Sequence, residues 1–518
     1  MKTQQSMHTR RQFLSDVGRG MVTAAVGYGV ASELGLAAAL GDEPVRLDFG
    51  TLEPLVRMMQ ETPVTKLLPV LVEKLRGGTE LRQLVAAGAL ANARTFGGED
   101  YVGFHTIMAL APSFHISQEM PAEQQALPVF KVLYRNTNRI QESGGAKREV
   151  LHPVIATATA IPANPGEWLR DAVRSKDVAR AEAAFAAVAT TPEDAFNAVL
   201  HEVHDDTEVH RTVLPYRAWD LMGLIGREHA TTLLRQSVRY CVKSEKSYAK
   251  NRSRDLLAKL LEEHKLLSAA PGTRTAEDKW VEELSMVIFK STPEQAAAAA
   301  AAALAEGMAP DAIGEAISLA ANQIILRDHG RPPSDETTGK PLGSVHGDSI
   351  GVHACDSANA WRNMARIARP RNTFACLILG AYQVALDRVE RGGDFLHWEP
   401  LPVAWHVNSV KTTDPDTLLR DLDEAVRGNL QGRASAITHC YGQQGHESRA
   451  VFELLRKYAI SEDGALHAEK YYRTVSEEFS TTRPAFRWRQ LCALARVTAS
   501  EYGRPAAGMA EAIALLKT

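Results

Sequence analysis

Cysteine is scarce. The 518-residue chain has five, Cys241, Cys355, Cys376, Cys440 and Cys492, an odd number with no Cys-x-x-Cys among them. That argues against a disulfide framework and against a four-cysteine zinc site, and leaves isolated cysteines as small core residues. Aromatic residues make up only 6%, and no stretch alternates Val, Ile or Thr with polar residues, so there is little from which to build sheets. Neither sign of charge prevails: the formal net charge is −3. With no basic stripe interleaved with aromatics, a nucleic-acid partner is not expected. Gly-rich phosphate loops, a GxSxG elbow and a dinucleotide fingerprint are all missing. Past the first forty residues no apolar run reaches the length of a membrane span, about 18 residues.

The N-terminus carries Thr9-Arg10-Arg11-Gln12-Phe13-Leu14, then an apolar Gly/Ala-rich run from Met21 to Ala39 that ends in Ala37-Ala38-Ala39. The paired arginines, Phe13, Leu14 and the small-residue end resemble a bacterial twin-arginine export signal. The resemblance implies a periplasmic or otherwise exported protein whose only membrane association would be through an uncleaved signal. It also implies export in the folded state, often with a cofactor inserted, and so raises the expectation of a metal or redox cofactor.

Alanine is abundant and helix starts are frequent. Thr191-Pro192-Glu193, Thr292-Pro293-Glu294 and Asp414-Pro415-Asp416 each set an N-cap, a proline at the first helical position and an acid in the first turn. The chain reads as all-α, an array of about four irregular multi-helix units packed into a compact bundle or closed superhelix. Residues 1–39 form the export signal, and 40–160, 161–290, 291–410 and 411–518 form the four units. Each unit contains a histidine pair expected in or near a loop: His105 and His115, His204 and His210, His346 and His353, His439 and His446. The unequal unit lengths exclude a short-period solenoid.

The densest chemistry lies in Leu200–Arg211, LHEVHDDTEVHR. His204 continues the apolar stripe of Phe196, Val199, Leu200 and Val203 and is expected to point inward. Asp205, Glu208 and His210 follow. Neutral imidazoles beside carboxylates suit zinc or iron, the carboxylates serving as ligands or as partners that orient them. In the third pair, Gly347 permits a tight turn after His346, Asp348 or Ser349 can cap a helix, and His353 has Asp356 three residues on, on one helix face. A carboxylate there can fix the imidazole tautomer for ligation or for general-base work. His439 and His446 bracket a Gly/Gln turn. His105 and His115 lie in the most apolar surroundings and read individually as structural. His467 has no local motif but sits on a fourth-unit helix where it could line a pocket.

The run His353-Ala-Cys-Asp-Ser-Ala-Asn-Ala-Trp-Arg362, followed by Leu377-Ile-Leu-Gly-Ala-Tyr-Gln383, resembles uncharacterised bacterial helical domains, some of them joined to Rieske-type iron–sulfur domains. The resemblance implies an all-helical, redox-associated domain; the cluster-binding motif itself is missing here. Taken together, the expected protein is an exported metal-dependent enzyme, an oxidoreductase acting on a small-molecule substrate, with iron preferred over zinc. The expected ligands are His204, His210, Asp205, Glu208, His346, His353, His439 and His446, and the expected catalytic groups are His353, Asp356 and His346. Two rivals stand beside it: a metal-free helical repeat scaffold that binds a partner, and a hydrolase or lyase using a His–Asp general base.

Overall fold

The capping signals are realised where the sequence sets them. Thr191 accepts from the Asp194 amide, Thr292 from that of Gln295 and Asp414 from that of Thr417, each ahead of a first-position proline. In the computed structural model, which describes residues 45–517 apart from 157–160, 246–251, 338–339 and 346–348, the described residues form 23 α-helices and no strand. The protein is all-α. The export-signal residues and His346 lie outside the described residues.

Twelve helices carry the architecture, in four groups of three. They are α1 (Leu81–Phe96), α2 (Tyr101–Gln118) and α3 (Ala126–Glu142); α4 (Pro192–Val203), α5 (Val209–Ile225) and α6 (Ala230–Ser244); α7 (Pro310–Arg327), α8 (Ile350–Ile367) and α9 (Pro370–Arg391); and α10 (Ser448–Ser461), α11 (His467–Thr481) and α12 (Arg487–Glu501). Within each group all three helices touch. The middle helices α2, α5, α8 and α11 then pack in a closed square, α2 on α5, α5 on α8, α8 on α11 and α11 back on α2. The middle helices are buried over most of their surface, as expected of helices enclosed by others. Of the flanking helices, α1, α7, α9 and α12 are buried as extensively, whereas α10 shows an apolar stripe. The first histidine pair departs from the loop expectation: His105 and His115 both sit inside α2, because the flanking apolar residues are a buried helix rather than a loop.

Polar seams join the four inner helices. His115 on α2 meets Asp220 on α5 at 3.0 Å. Tyr216 on α5 donates to Glu477 on α11 at 3.0 Å. Arg362 on α8 donates to Glu478 on α11 at 2.6 Å, and Asn359 donates to the other oxygen of the same carboxylate at 2.9 Å. Beside the α2–α11 contact, Lys131 of α3 ties the first group to the last: its ammonium lies 2.6 Å from the Glu469 carboxylate of α11, with both side chains all but fully buried. Lys131 also donates to the Ala459 carbonyl at 2.9 Å.

Breaking a buried pair by removing one partner strands the other, at a cost of about 3–5 kcal/mol. Lys131→Met is therefore expected to lower the unfolding free energy by roughly that amount. Chemical denaturation checks this, and a loss within that of an exposed lysine such as Lys279 would show that the pair does not seal the ring.

Candidate functional site

One histidine from each inner helix arrives at the same place. His105, His210, His353 and His467 all fall within the first five residues of α2, α5, α8 and α11. Their ring centroids form a closed circuit: 4.8 Å from His105 to His210, 5.8 Å from His210 to His353, 5.3 Å from His353 to His467 and 5.1 Å from His467 to His105. His105 and His467 are buried and His210 and His353 half-buried, so the cluster sits just below the surface. Tyr101, Phe104 and Tyr240 wall it on one side, with Tyr101 4.5 Å from the His105 ring and Phe104 4.8 Å from that of His210.

The Nε2 atoms face one another. His105 and His210 approach to 3.3 Å through Nε2, and His353 and His467 to 3.2 Å. The other ring nitrogen is committed to an acceptor in three of the four. His105 Nδ1 lies 2.7 Å from the Tyr101 carbonyl, His210 Nδ1 2.6 Å from Glu208, and His467 Nδ1 3.3 Å from the Gly464 carbonyl. A carbonyl or carboxylate oxygen only accepts, so these Nδ1 atoms carry the proton and their Nε2 atoms carry lone pairs. A hydrogen bond between the Nε2 atoms of His105 and His210 would then require an imidazolium. Burial opposes that strongly at His105 and His467, where the pKa is pushed far down, and the nearby Lys470 ammonium adds to the effect. The helix N-terminal ends on which the rings sit act in the same direction.

Around the rings the charges are arranged in pairs. Burial pushes the Glu208 carboxyl up, but hydrogen bonds from His210 and Tyr240 outweigh it and hold the pKa at about 2. Glu208 also caps α5 by accepting from the Arg211 amide at 3.0 Å, and takes the Tyr240 hydroxyl at 2.7 Å. The buried Lys470 is lowered by burial to about 8, with Asp356 pulling it back up. Asp356 in turn is raised by burial and accepts from Thr474 at 2.8 Å.

His467 is placed by a left-handed turn. Gly464, Ala465 and Leu466 have φ of +48°, +48° and +65°, and the latter two are side chains for which this region is strained. Strain of this kind persists only where the surroundings enforce it, and it concentrates at functional positions. Here it ends on the imidazole that closes the circuit.

The structure thus brings together two of the sequence-expected ligands, His210 and His353, with Glu208 behind His210. The others have separate settings. His204 uses both nitrogens elsewhere: Arg371 donates to its Nδ1 at 3.0 Å, and its Nε2 lies 3.5 Å from Cys376 Sγ. Asp205 is held by Arg174 through two contacts of 2.7 Å. His439 is half-buried on the outer helix Gln431–Gln443, and His446 lies 3.0 Å from the Thr413 carbonyl. His105 and His467 complete the circuit, though neither belongs to a local motif; the available signal was positional, one histidine at the start of one buried helix per unit. Among the described residues, no group of three or more His, Cys, Asp or Glu side chains stands ready as a metal-ligand set: the imidazoles meet as two close pairs.

No family model matches the chain, and no curated protein or solved structure matches it.

Burial holds His204 neutral, with a pKa far below the unfolded value of 6.5. A group with a depressed folded pKa that is neutral when folded loses stability as pH falls below the unfolded pKa, because only the unfolded state then binds the proton. Between pH 7.5 and 5.5 the native protein should lose about 1.4 kcal/mol more than a His204→Gln variant, with the contributions of all other groups cancelling in the comparison. Denaturation curves at the two pH values test this, and parallel losses would show that His204 is not held neutral.

Proposed function

We propose that the protein is a metal-dependent enzyme whose centre is formed by Nε2 of His105, His210, His353 and His467, with an oxidoreductase reaction and with iron preferred over zinc. The observation that carries this reading is the pair of Nε2–Nε2 approaches, with the Nδ1 of His105, His210 and His467 each directed at an oxygen acceptor. Two facing lone pairs at 3.3 Å in a site that resists protonation call for a cation between them. Two nitrogens bound to one tetrahedral ion at about 2.0–2.1 Å stand roughly 3.3–3.4 Å apart, and both observed separations, 3.3 and 3.2 Å, lie close to that. The four Nε2 atoms would hold such an ion once side-chain rotation brought the two pairs onto it.

Imidazole nitrogen suits iron, copper, nickel and zinc. Four protein ligands close a tetrahedral zinc, whereas an octahedral iron retains open positions. A bound iron would supply a site for polarising or activating oxygen on a small-molecule substrate. The chain's own residues do the rest: Glu208, the Tyr101 carbonyl and the Gly464 carbonyl orient the rings, Lys470 and Asp356 set the local field, and Tyr101, Phe104 and Tyr240 restrict water. Export through the N-terminal signal, with the ion inserted beforehand, belongs to the same reading. A His353–Asp356 general base has less support, because Asp356 accepts from Thr474 and lies in the field of Lys470.

Elemental analysis of protein purified without chelators is expected to find one transition-metal ion per chain. His105→Ala and His467→Ala, neither of them among the ligands expected from the sequence, should each reduce it at least tenfold. His439→Ala and His446→Ala should leave it unchanged. Undiminished metal in a folded His105→Ala/His467→Ala double variant would overturn the four-imidazole centre.

A further inference from the structure

A second site lies away from the imidazole circuit. A cavity of about 620 Å³ opens between α4, the start of α9 and the helix Pro165–Arg174, within the size range of small-molecule sites. Its floor is cationic. Arg371, the second residue of α9, has its guanidinium largely withdrawn from water, and its partners are neutral: His204 Nδ1 and Asn372 Oδ1, both at 3.0 Å. Burial and the neighbouring Arg170 both lower its pKa, and the nearest acid that offsets them is Glu167. Arg170 has only a 3.9 Å approach to Asp171, and its Nε is buried without a hydrogen-bond partner. By contrast Asp194, also on the wall, is already taken by Arg369, Thr190 and Thr191.

Arg369 and Asp194 pair with each other, which leaves Arg371 and Glu167 as the other charges on the lining, and Arg371 is hydrogen-bonded to neutral groups. Two helices also begin at the wall, at Pro165 and at Pro370, and the N-terminal end of a helix favours an anion. His201, which also lines it, has its Nδ1 buried without a partner, and burial lowers its pKa to about 3, so it enters as a neutral hydrogen-bonding ring. The rim is of opposite character. Ile161 is 54% exposed and Leu267 61% exposed, and Val188 and Ala198 add to the apolar lining.

We infer that this cavity binds an amphipathic organic monocarboxylate, its carboxylate on the Arg371 guanidinium and its apolar body against Ile161, Val188 and Leu267. The planar guanidinium fork of Arg371 matches a carboxylate in a bidentate contact. The exposed aliphatic rim accounts for the apolar body, which a free inorganic anion would leave uncovered. The inference stands independently of the proposed metal centre.

Isothermal titration of the full chain with decanoate, decanol and inorganic phosphate is the test. Decanoate is expected to bind, decanol at least tenfold more weakly, and phosphate at least tenfold more weakly than decanoate. Arg371→Gln should weaken decanoate at least tenfold. Because Arg371 also supports His204, Leu267→Ser and Ile161→Ser are made separately; each should weaken decanoate three- to tenfold with no change in melting temperature. Equal binding of decanol and decanoate, tighter binding of phosphate, no binding of decanoate, or full affinity in the Leu267→Ser and Ile161→Ser variants would each overturn the assignment.

Discussion

The circuit of inner helices depends on closure. α2 and α11 come from opposite ends of the chain, yet they must touch for the four inner helices to form a square. Next to that seam Lys131 of α3 and Glu469 of α11 meet at 2.6 Å, almost without solvent. Two charges taken out of water gain little over well-packed apolar residues, but they tolerate only one register. A half-turn slip of α11 would separate them and leave each unpaired. The same register brings Arg362 to Glu478 and puts His467 opposite His105. Ring closure and the imidazole circuit are therefore consequences of one alignment.

The site inherits its character from that enclosure. Each imidazole begins an inner helix, where the peptide dipoles disfavour an added proton, and the packing that buries His105 and His467 disfavours it further. Under those conditions the tautomer is decided by whatever accepts from Nδ1: a carbonyl one turn back for His105, a capping carboxylate for His210 and a carbonyl in a left-handed turn for His467. Three different local devices yield the same outcome, Nε2 lone pairs directed inward. That convergence is hard to attribute to packing, which has no preference for which nitrogen faces the interior. The cavity beside Arg371 follows another logic: a guanidinium held by neutral partners beside an aliphatic rim suits recognition of a molecule rather than chemistry on it.

Much of the fold was legible from the chain. Thr191, Thr292 and Asp414 ahead of prolines mark helix starts, and the weak supply of aromatic and β-branched alternation argues against sheets; both hold in the structure. The site was only partly legible. His210, His353 and Glu208 stood out because they lie in runs dense with histidine and carboxylate. His105 and His467 did not, because a ligand's partners here lie across a ring of helices and not across a turn. Pairing histidines by sequence distance grouped His439 with His446 and His105 with His115, whereas the circuit joins His105 to residues more than a hundred positions away. His204 illustrates the reverse. Its helical stripe does point inward, but Arg371, far along the chain, donates to the nitrogen a metal would need.

The most direct test of the four-imidazole centre is X-ray absorption spectroscopy at the edge of whichever transition metal co-purifies with the protein. The account predicts a first shell containing four nitrogen scatterers at about 2.0–2.2 Å, with the outer-shell scattering of imidazole rings, and loss of half that outer-shell signal in the His105→Ala/His467→Ala variant. A first shell of oxygen or sulfur without imidazole scattering, or a spectrum unchanged in that variant, would contradict it.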